Sequence, residues 1–198
     1  LIFEDFFVFQ SGLALRRHEN AQVKKARVCH VTDEVRAAAR AVLPFKLTPG
    51  HRDAVAEIVA DMQRTWPMQR LLQGDVGAGK TIVAVLAAVV AMENGYQAAF
   101  MAPTEILAEQ HYRTVMTWLD GTKYRVRLLT GRVTAAQRRD LLPAIARGEI
   151  HFVIGTHALV QEHVTFNALS LVIIDEQHRF GVIQRGTLAA KGGNPDVL

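Results

Sequence analysis

The most informative stretch of this 198-residue chain is Gly74-Asp75-Val76-Gly77-Ala78-Gly79-Lys80-Thr81. It matches the pattern G-x-x-x-x-G-K-[ST] at every position, follows the apolar pair Leu71-Leu72, and precedes the apolar run Ile82 to Met92. A strand, a glycine-rich loop and a helix in this order form a phosphate-binding loop (P-loop), in which backbone N–H groups and the helix N-terminus surround an anion. The stretch therefore predicts a site for a nucleoside triphosphate.

Paired acids provide the second part of the predicted site. In such loops the lysine, here Lys80, neutralises phosphate oxygens, and the hydroxyl of Thr81 is placed on Mg²⁺. A further acid is needed at the end of another strand, and the apolar run 171–174 leads directly into Asp175 and Glu176. Asp175 is the candidate magnesium ligand, and Glu176 is the candidate base that orients the attacking water. Two acids after a strand can also form a surface turn, but the P-loop favours the catalytic interpretation.

Outward from these motifs, the chain from Pro44 onward alternates short apolar runs with longer helical patterns. This alternation predicts an α/β domain with a parallel central sheet flanked by helices. The predicted strands lie near Arg70–Gln73, Gln97–Met101, Tyr124–Leu129, His151–Gly155 and Leu171–Ile174. The predicted helices lie near Pro49–Met62, Lys80–Asn94, Glu105–Leu119, Thr134–Arg147 and His157–Gln161.

Residues 1–43 have a different character and predict a helical connector. Leu1 to Arg17 has apolar residues at helical spacing, and Thr32-Asp33-Glu34 starts an alanine-rich run to Ala41. Pro44 ends the second helix, because the residue before a proline disfavours helical geometry. The sequence thus divides into a connector, 1–43, and a single domain, 44–198.

Composition excludes several classes of protein. The chain is 49% hydrophobic and 21% charged, unlike disordered or low-complexity sequence. Its longest apolar run, Ile82 to Met92, is shorter than the roughly 20 residues of a membrane-spanning helix. The single cysteine, Cys29, cannot form an internal disulfide, and no cysteine–histidine cluster has metal-ligand spacing. These features predict a cytoplasmic protein without a membrane partner, and the start at Leu1 predicts that the native N-terminus is missing.

Charge is unevenly distributed. The net charge is only +4, but the segment from Arg113 to Arg147 holds eight basic residues and two acids. Taken alone, such a run usually faces water. Beside a nucleotide site it also suits contact with a nucleic-acid backbone.

Longer motifs carry a resemblance to a known family. DEQH at 175–178 resembles the DExH box of the DEAD/DEAH helicase superfamily. The extended strings GDVGAGKT at 74–81, MAPTEILAEQH at 101–111, GTHALVQ at 155–161 and DEQHRFGVIQR at 175–185 resemble the RecG-type ATP-dependent DNA helicases. The related transcription-repair coupling factors typically carry DEEH instead, so Gln177 and Glu105-Ile106-Leu107 distinguish the two.

This resemblance implies the architecture and the activity. Residues 44–198 would form the first RecA-like lobe of the motor, ending before the next motif, and the second lobe and the wedge domain would be supplied in cis outside this chain. ATP and Mg²⁺ are the implied cofactors, and branched double-stranded DNA, meaning forks and Holliday junctions, is the implied partner. The complete enzyme would couple ATP hydrolysis to branch migration and fork regression in recombination and repair.

The resemblance also assigns roles to individual residues. The segments matching DNA-contact positions are Pro103-Thr104, Thr130-Gly131 and Gly155-Thr156-His157, although each alone could be an ordinary strand-to-helix turn. His178 would link the nucleotide site to the DNA-binding segments or to the opposing lobe. The segment that frames adenine corresponds to Phe45, Leu47, Thr48 and His51. His51 replaces the glutamine usual in relatives, and its neutral imidazole can also both donate and accept.

Three alternatives remain open at this point. The parent protein could be another DNA translocase, such as a coupling factor. The chain as given could be a nucleotide-binding module without efficient turnover, which we expect for the isolated lobe. A small-molecule kinase is the third, but the DExH box and the segments at 103–104 and 155–157 have no role in one.

Overall fold

Five short strands, whose residues are mostly buried, pair in parallel to form a single sheet. The computed structural model describes residues 4–12, 14, 23–75, 77–176, 186–188 and 190–198. The strands follow the spatial order β2-β3-β1-β4-β5. Their bounds are β1 Gln97–Met101, β2 Val126–Leu129, β3 Phe152–Gly155, β4 Leu169–Ile174 and β5 Asp196–Val197. The predicted α/β class with a parallel central sheet is confirmed.

Helices begin where the sequence places capping residues. Thr32, Thr48, Thr104 and Thr134 each accept a backbone N–H bond in the first turn of a helix. Residues 4–12 form α1. The later helices are α2 Asp33–Ala41, α3 Pro49–Met62, α4 Lys80–Glu93, α5 Glu105–Trp118 and α6 Ala135–Ala146, and a 3₁₀ turn spans His157–Val160.

Helix α4 occupies the centre of one layer. Every residue from Ile82 to Met92 is buried. Helices α2 and α3 pack against it on one side, and the sheet strands β1 and β4 contact it on the other. A helix covered on all sides is apolar around its full circumference, which explains the uninterrupted run.

The two faces of the sheet carry separate apolar clusters. Alternate residues of β1 point to opposite faces, so Phe100 joins the cluster of α4 and α5, whereas Met101 joins the second cluster. Ile145 of α6 and Leu159 of the 3₁₀ turn cover that second face. The sheet is therefore buried on both sides, as expected for parallel strands.

One predicted strand is wrong. The structure has no strand at Arg70–Gln73, and the segment makes only an isolated bridge from Gln69 to Val197. Its neighbour β5 extends only over Asp196–Val197, so the residues after Arg70 find no ladder partner, and Leu71 is exposed. The predicted helix at His157–Gln161 is a shorter 3₁₀ turn. The other four strands and the helices predicted at Pro49–Met62, Lys80–Asn94, Glu105–Leu119 and Thr134–Arg147 are confirmed to within two residues at each end. Both ends of the helical stretch predicted at Leu1–Arg17 lie outside the described residues.

Residues 23–43 pack onto the sheet domain. Cys29, Val35 and Val42 are buried in the same cluster as α4. Lys25 forms a buried ion pair with Asp196 of β5, at 2.8 Å between Nζ and Oδ2. The domain boundary at 43/44 therefore stays a prediction, since the described part of the connector shares its core with the lobe. No helix among the described residues is long and apolar enough to span a bilayer.

Candidate functional site

The P-loop has the backbone shape that a phosphate cradle needs. Gly77 and Gly79 adopt left-handed φ angles of 82° and 76°, a region that favours glycine. Gly79 is the N-cap of α4, and this helix end has no side-chain cap bond, which suits the binding of an anion there. Lys80 folds back over the loop, where its Nζ donates to the carbonyls of Gly74, at 2.6 Å, and Asp75, at 2.8 Å. Val76 lies outside the described residues.

His51 connects α3 to this loop. Its Nδ1 accepts from the Thr48 backbone N–H at 3.3 Å, completing a capping box with the Thr48 hydroxyl. An accepting Nδ1 leaves the proton on Nε2, which therefore donates to the Ala78 carbonyl at 2.7 Å. Both ring nitrogens thus have partners within the chain. Adenine recognition by His51 stays a prediction.

The predicted adenine-framing segment lies beside the same loop. The ring of Phe45 is 6.4 Å from that of His51, centroid to centroid, and 48% of Phe45 is exposed. Leu47 is half-buried, whereas Thr48 caps α3. An exposed aromatic ring next to a phosphate loop is suited to stacking on a nucleobase.

Asp175 directly follows β4 and accepts a hydrogen bond from His111 of α5. Its backbone N–H donates to the Met101 carbonyl at 2.9 Å, which fixes the end of β4 against the end of β1. Its Oδ2 accepts from His111 Nε2 at 2.9 Å. This bond lowers the pKa of Asp175 against the effect of burial, and the charge of Lys80 lowers the pKa further. The candidate magnesium ligand thus lies at the end of a strand that packs against α4, the helix that the P-loop opens.

Glu176 stands in unusual backbone geometry. Its φ is 53°, in the left-handed region that non-glycine residues seldom occupy. Strain of this kind persists where the surrounding structure enforces it, and it is often found at functional sites. Gln177 and His178, the other two residues of the box, lie outside the described residues.

The oxygen donors at this site fit magnesium better than a softer metal. The Thr81 hydroxyl and the Asp175 carboxylate are hard ligands of the kind that Mg²⁺ prefers together with phosphate oxygens. Among the described residues, no group of three or more histidine, cysteine or acidic side chains could hold a metal by itself. Thr81 and Asp175 would therefore hold Mg²⁺ through the bound triphosphate. The ion would supply charge neutralisation at the phosphates.

The three predicted DNA-contact segments lie at one edge of the sheet. They follow the C-terminal ends of β1, β2 and β3, which are neighbouring strands. Ala102 N–H donates to the Gly155 carbonyl at 2.8 Å, and Arg132 Nε forms a 2.8 Å ion pair with Glu105. These contacts join the start of α5 to the turns after the other two strands. Open α/β sheets bind ligands at this edge.

Only some of these residues reach the surface. Thr104, Gly131 and His157 are exposed, and Pro103 is half-buried. Gly155 is buried, and only 2% of Thr130 and 1% of Thr156 are exposed, so those two threonine hydroxyls are not presented to a partner. Contact through the threonine side chains at 130 and 156 is therefore not supported by this structure.

Ion pairs neutralise part of the positive charge in the segment from Arg113 to Arg147. Four of its eight basic side chains pair with glutamates: Arg113, Lys123, Arg132 and Arg147. An open cavity of about 670 Å³ lies between α5, β2 and α6, and it is lined by Arg125, Arg127 and Thr130. Arg132 and three acids, Glu109, Asp140 and Glu149, line the same cavity, so its formal charges balance.

Sequence reasoning missed the roles of two groups. In the sequence, His111 is only the last residue of the motif at 101–111, and no local pattern indicates the pair formed by Glu105 and Arg132. The signal for His111 was its helical phase, because it lies three residues after buried Ala108 and four before buried Val115. A histidine on the buried face of a helix requires a polar partner.

Comparison with known proteins agrees with these features. The chain is 46% identical over 198 residues to the ATP-dependent DNA helicase RecG of Synechocystis sp., covering 100% of this chain and 24% of that protein. It is 48% identical to RecG of Streptococcus pneumoniae, covering 99% of this chain and 29% of that protein. A solved structure of RecG bound to a three-way DNA junction superimposes with a TM-score of 0.86 at 42% identity, covering 99% of this chain and 26% of that one.

These matches confirm the resemblance to RecG helicases and the RecA-like lobe. The chain spans about a quarter of the length of the curated relatives it matches. The sequence profile of the DEAD/DEAH box helicases matches residues 48–192, which include both the P-loop and the paired acids. This chain belongs to the DEAD/DEAH box helicase family.

Proposed function

We propose that this chain is the ATP-binding motor lobe of a RecG-type DNA helicase. One observation carries the proposal: the P-loop opens helix α4, which packs on β1 and β4, and Asp175 directly follows β4. A phosphate loop beside a strand that ends in an aspartate is the arrangement that phosphoryl-transfer motors use.

Each element of the site has a part in that chemistry. Residues 74–81 bind the triphosphate through backbone N–H groups and Lys80, and Thr81 and Asp175 hold Mg²⁺. Glu176 orients a water for attack and takes its proton. Phe45, Leu47, Thr48 and His51 frame the base, and His178 links this site to the DNA-facing edge.

Branched double-stranded DNA is the proposed partner. The similar RecG structure is described as bound to a three-way DNA junction. In this chain the exposed residues Thr104, Gly131 and His157 share one edge of the sheet, the edge at which open α/β sheets bind ligands. We propose that the whole protein couples ATP hydrolysis to branch migration at forks and Holliday junctions, in the cytoplasm.

The isolated chain is proposed to bind nucleotide without efficient turnover. In motors of this kind the second lobe, here supplied in cis by the parent protein, completes the site for hydrolysis, and the matched relatives are about four times as long as this chain. A coupling factor remains the alternative parent. Stimulation that depends on RNA polymerase would favour a coupling factor, whereas stimulation by forked DNA favours a RecG-type helicase.

Two substitutions test the nucleotide site. Lys80→Ala removes the ammonium that faces the phosphates, so we expect at least a tenfold loss of affinity for a fluorescent ATP analogue, measured by titration. Glu176→Gln keeps a side chain of similar size and leaves the phosphate contacts, so we expect its affinity to stay within about threefold of wild type. In the full-length parent, Glu176→Gln should stop hydrolysis.

Lys24→Ala is the matched control, since Lys24 is an exposed lysine outside both the loop and the segment proposed to frame the base. Unchanged affinity in Lys80→Ala would overturn the site assignment. ATP hydrolysis by the unmodified chain, strongly stimulated by forked DNA, would overturn only the statement that the isolated lobe lacks turnover.

A further inference from the structure

Helix α5 brings the imidazole of His111 into hydrogen-bond contact with the carboxylate of Asp175. Its Nε2 lies 2.9 Å from Oδ2 of that residue. An ionised carboxylate can only accept hydrogen bonds, so Nε2 of His111 carries the proton and donates to Asp175. The bond spans 64 residues of sequence and joins helix α5 to the end of β4.

Packing against the core restrains the imidazole ring of His111. Its ring centroid is 4.5 Å from that of Phe100 in β1, with a tilt of 43° between the planes. Only 17% of the side chain is exposed. Ala108 and Val115, on the same face of α5, are fully buried, which fixes the helix against the sheet. The packing of α5 on the sheet therefore fixes the position of the Nε2 donor.

We propose that His111 is a positioning residue that orients the Asp175 carboxylate for Mg²⁺. This inference rests on the proposed function, in which Asp175 holds the ion. A carboxylate that accepts one bond at Oδ2 keeps further lone pairs for a metal. Groups that hydrogen-bond to metal ligands restrict their rotation, and losing one typically costs 10- to 100-fold in metal affinity.

Two substitutions separate the hydrogen bond from packing. His111→Leu removes the donor and retains an apolar side chain against Phe100. His111→Gln places an amide N–H where Nε2 stood, and so restores the donor. Gln110→Leu, at the neighbouring exposed position of α5, is the matched control.

The measurement is the Mg²⁺ concentration that gives half-maximal binding of a fluorescent ATP analogue to the 198-residue chain, with a parallel titration in EDTA. For His111→Leu we expect a 10- to 100-fold rise in this concentration. Its affinity for nucleotide in EDTA should stay within about threefold, a value that a general folding defect would change. His111→Gln and Gln110→Leu should both lie within about threefold of wild type.

The outcomes distinguish the two proposals. If the unmodified chain fails to bind the ATP analogue, the proposed function fails. If it binds, and His111→Leu shows the same Mg²⁺ dependence as wild type, the positioning role is overturned. If His111→Gln needs as much Mg²⁺ for half-maximal binding as His111→Leu, the hydrogen bond does not orient Asp175, and the proposal is also overturned.

Discussion

Gly79 is where the shape of the phosphate loop is most tightly constrained. Its φ is +76°, and a Cβ built on it would lie 2.5 Å from His51 Nε2. The missing side chain therefore serves two purposes: it permits the left-handed turn into α4, and it lets the histidine reach the Ala78 carbonyl. The G-K pair of the motif thus has a packing role in this chain in addition to its contact with phosphate.

We predict that Gly79→Ala lowers both stability and nucleotide affinity. The left-handed backbone alone costs a residue with a Cβ about 1–2 kcal/mol. Displacement of His51 adds to this, because the imidazole must give up its bond to the loop. Urea unfolding measures the free-energy change, and titration with a fluorescent ATP analogue measures the affinity.

A second substitution isolates the contact with the histidine. In Gly79→Ala the added methyl meets His51, so His51→Ala should cost less stability in that background than in wild type, and the two changes should be non-additive. Gly50→Ala is the control, since nothing lies within 4 Å of its Cβ position and alanine suits a helix. Additive effects at 51 and 79 would show that the steric contact does not matter.

At the scale of elements, Glu93 joins the end of α4 to the segment before β2, because its carboxylate contacts Lys123 and Tyr124. Tyr124 Oη donates to one carboxylate oxygen, and Lys123 Nζ lies 2.8 Å from the carboxylate. Burial alone would raise the pKa of Glu93, but the bonds from Lys123 and Tyr124 outweigh it, and the pKa is lowered. The same contact raises the pKa of Tyr124, together with burial of its hydroxyl.

This pKa shift predicts how stability depends on pH. An acid whose pKa is lower in the folded state stabilises the fold above its unfolded pKa, about 4.3 for glutamate, and loses that contribution as pH falls through the folded value. Glu93→Gln should therefore be destabilised by about 1 kcal/mol at pH 7 and approach wild type near pH 3. Urea unfolding at pH 7, 5 and 3 measures the difference.

Glu162→Gln makes the same chemical change at an exposed position and should leave stability nearly unchanged across this range. A Glu93→Gln deficit of equal size at every pH would contradict the prediction, since a titrating carboxylate could not then be its source.

The helices and strands also show which parts of this structure the sequence predicts and which it does not. The P-loop, the paired acids and four of the five predicted strands follow from local pattern, because each depends on neighbours in sequence. The strand at Arg70–Gln73 fails because a strand needs a partner, and β5 provides one only at Val197. The contacts of His51 with Ala78 and of His111 with Asp175 span 27 and 64 residues, and local pattern contains no information about them.

At the scale of the whole molecule, the buried Lys25–Asp196 pair ties the N-terminal segment to the sheet. Lys25 Nζ donates to both Asp196 oxygens and to the Met62 carbonyl, and Asp196 Oδ1 also accepts from Met68 N–H. The side chains are 1% and 0% exposed. The pair therefore joins the connector, the end of α3, β5 and the segment that leads into the P-loop.

We predict that Lys25→Met destabilises the chain by about 3–5 kcal/mol, because it leaves the Asp196 charge buried without a partner. Adding Asp196→Asn should recover part of this loss, since an amide carries no charge and its oxygen can still accept from Met68. Arg36→Met, which removes an exposed ion pair with Asp33, should cost less than about 1 kcal/mol. Urea unfolding measures all three. If Lys25→Met cost no more than Arg36→Met, residues 23–43 would be a separable connector, and the division at 43/44 would describe the folded molecule.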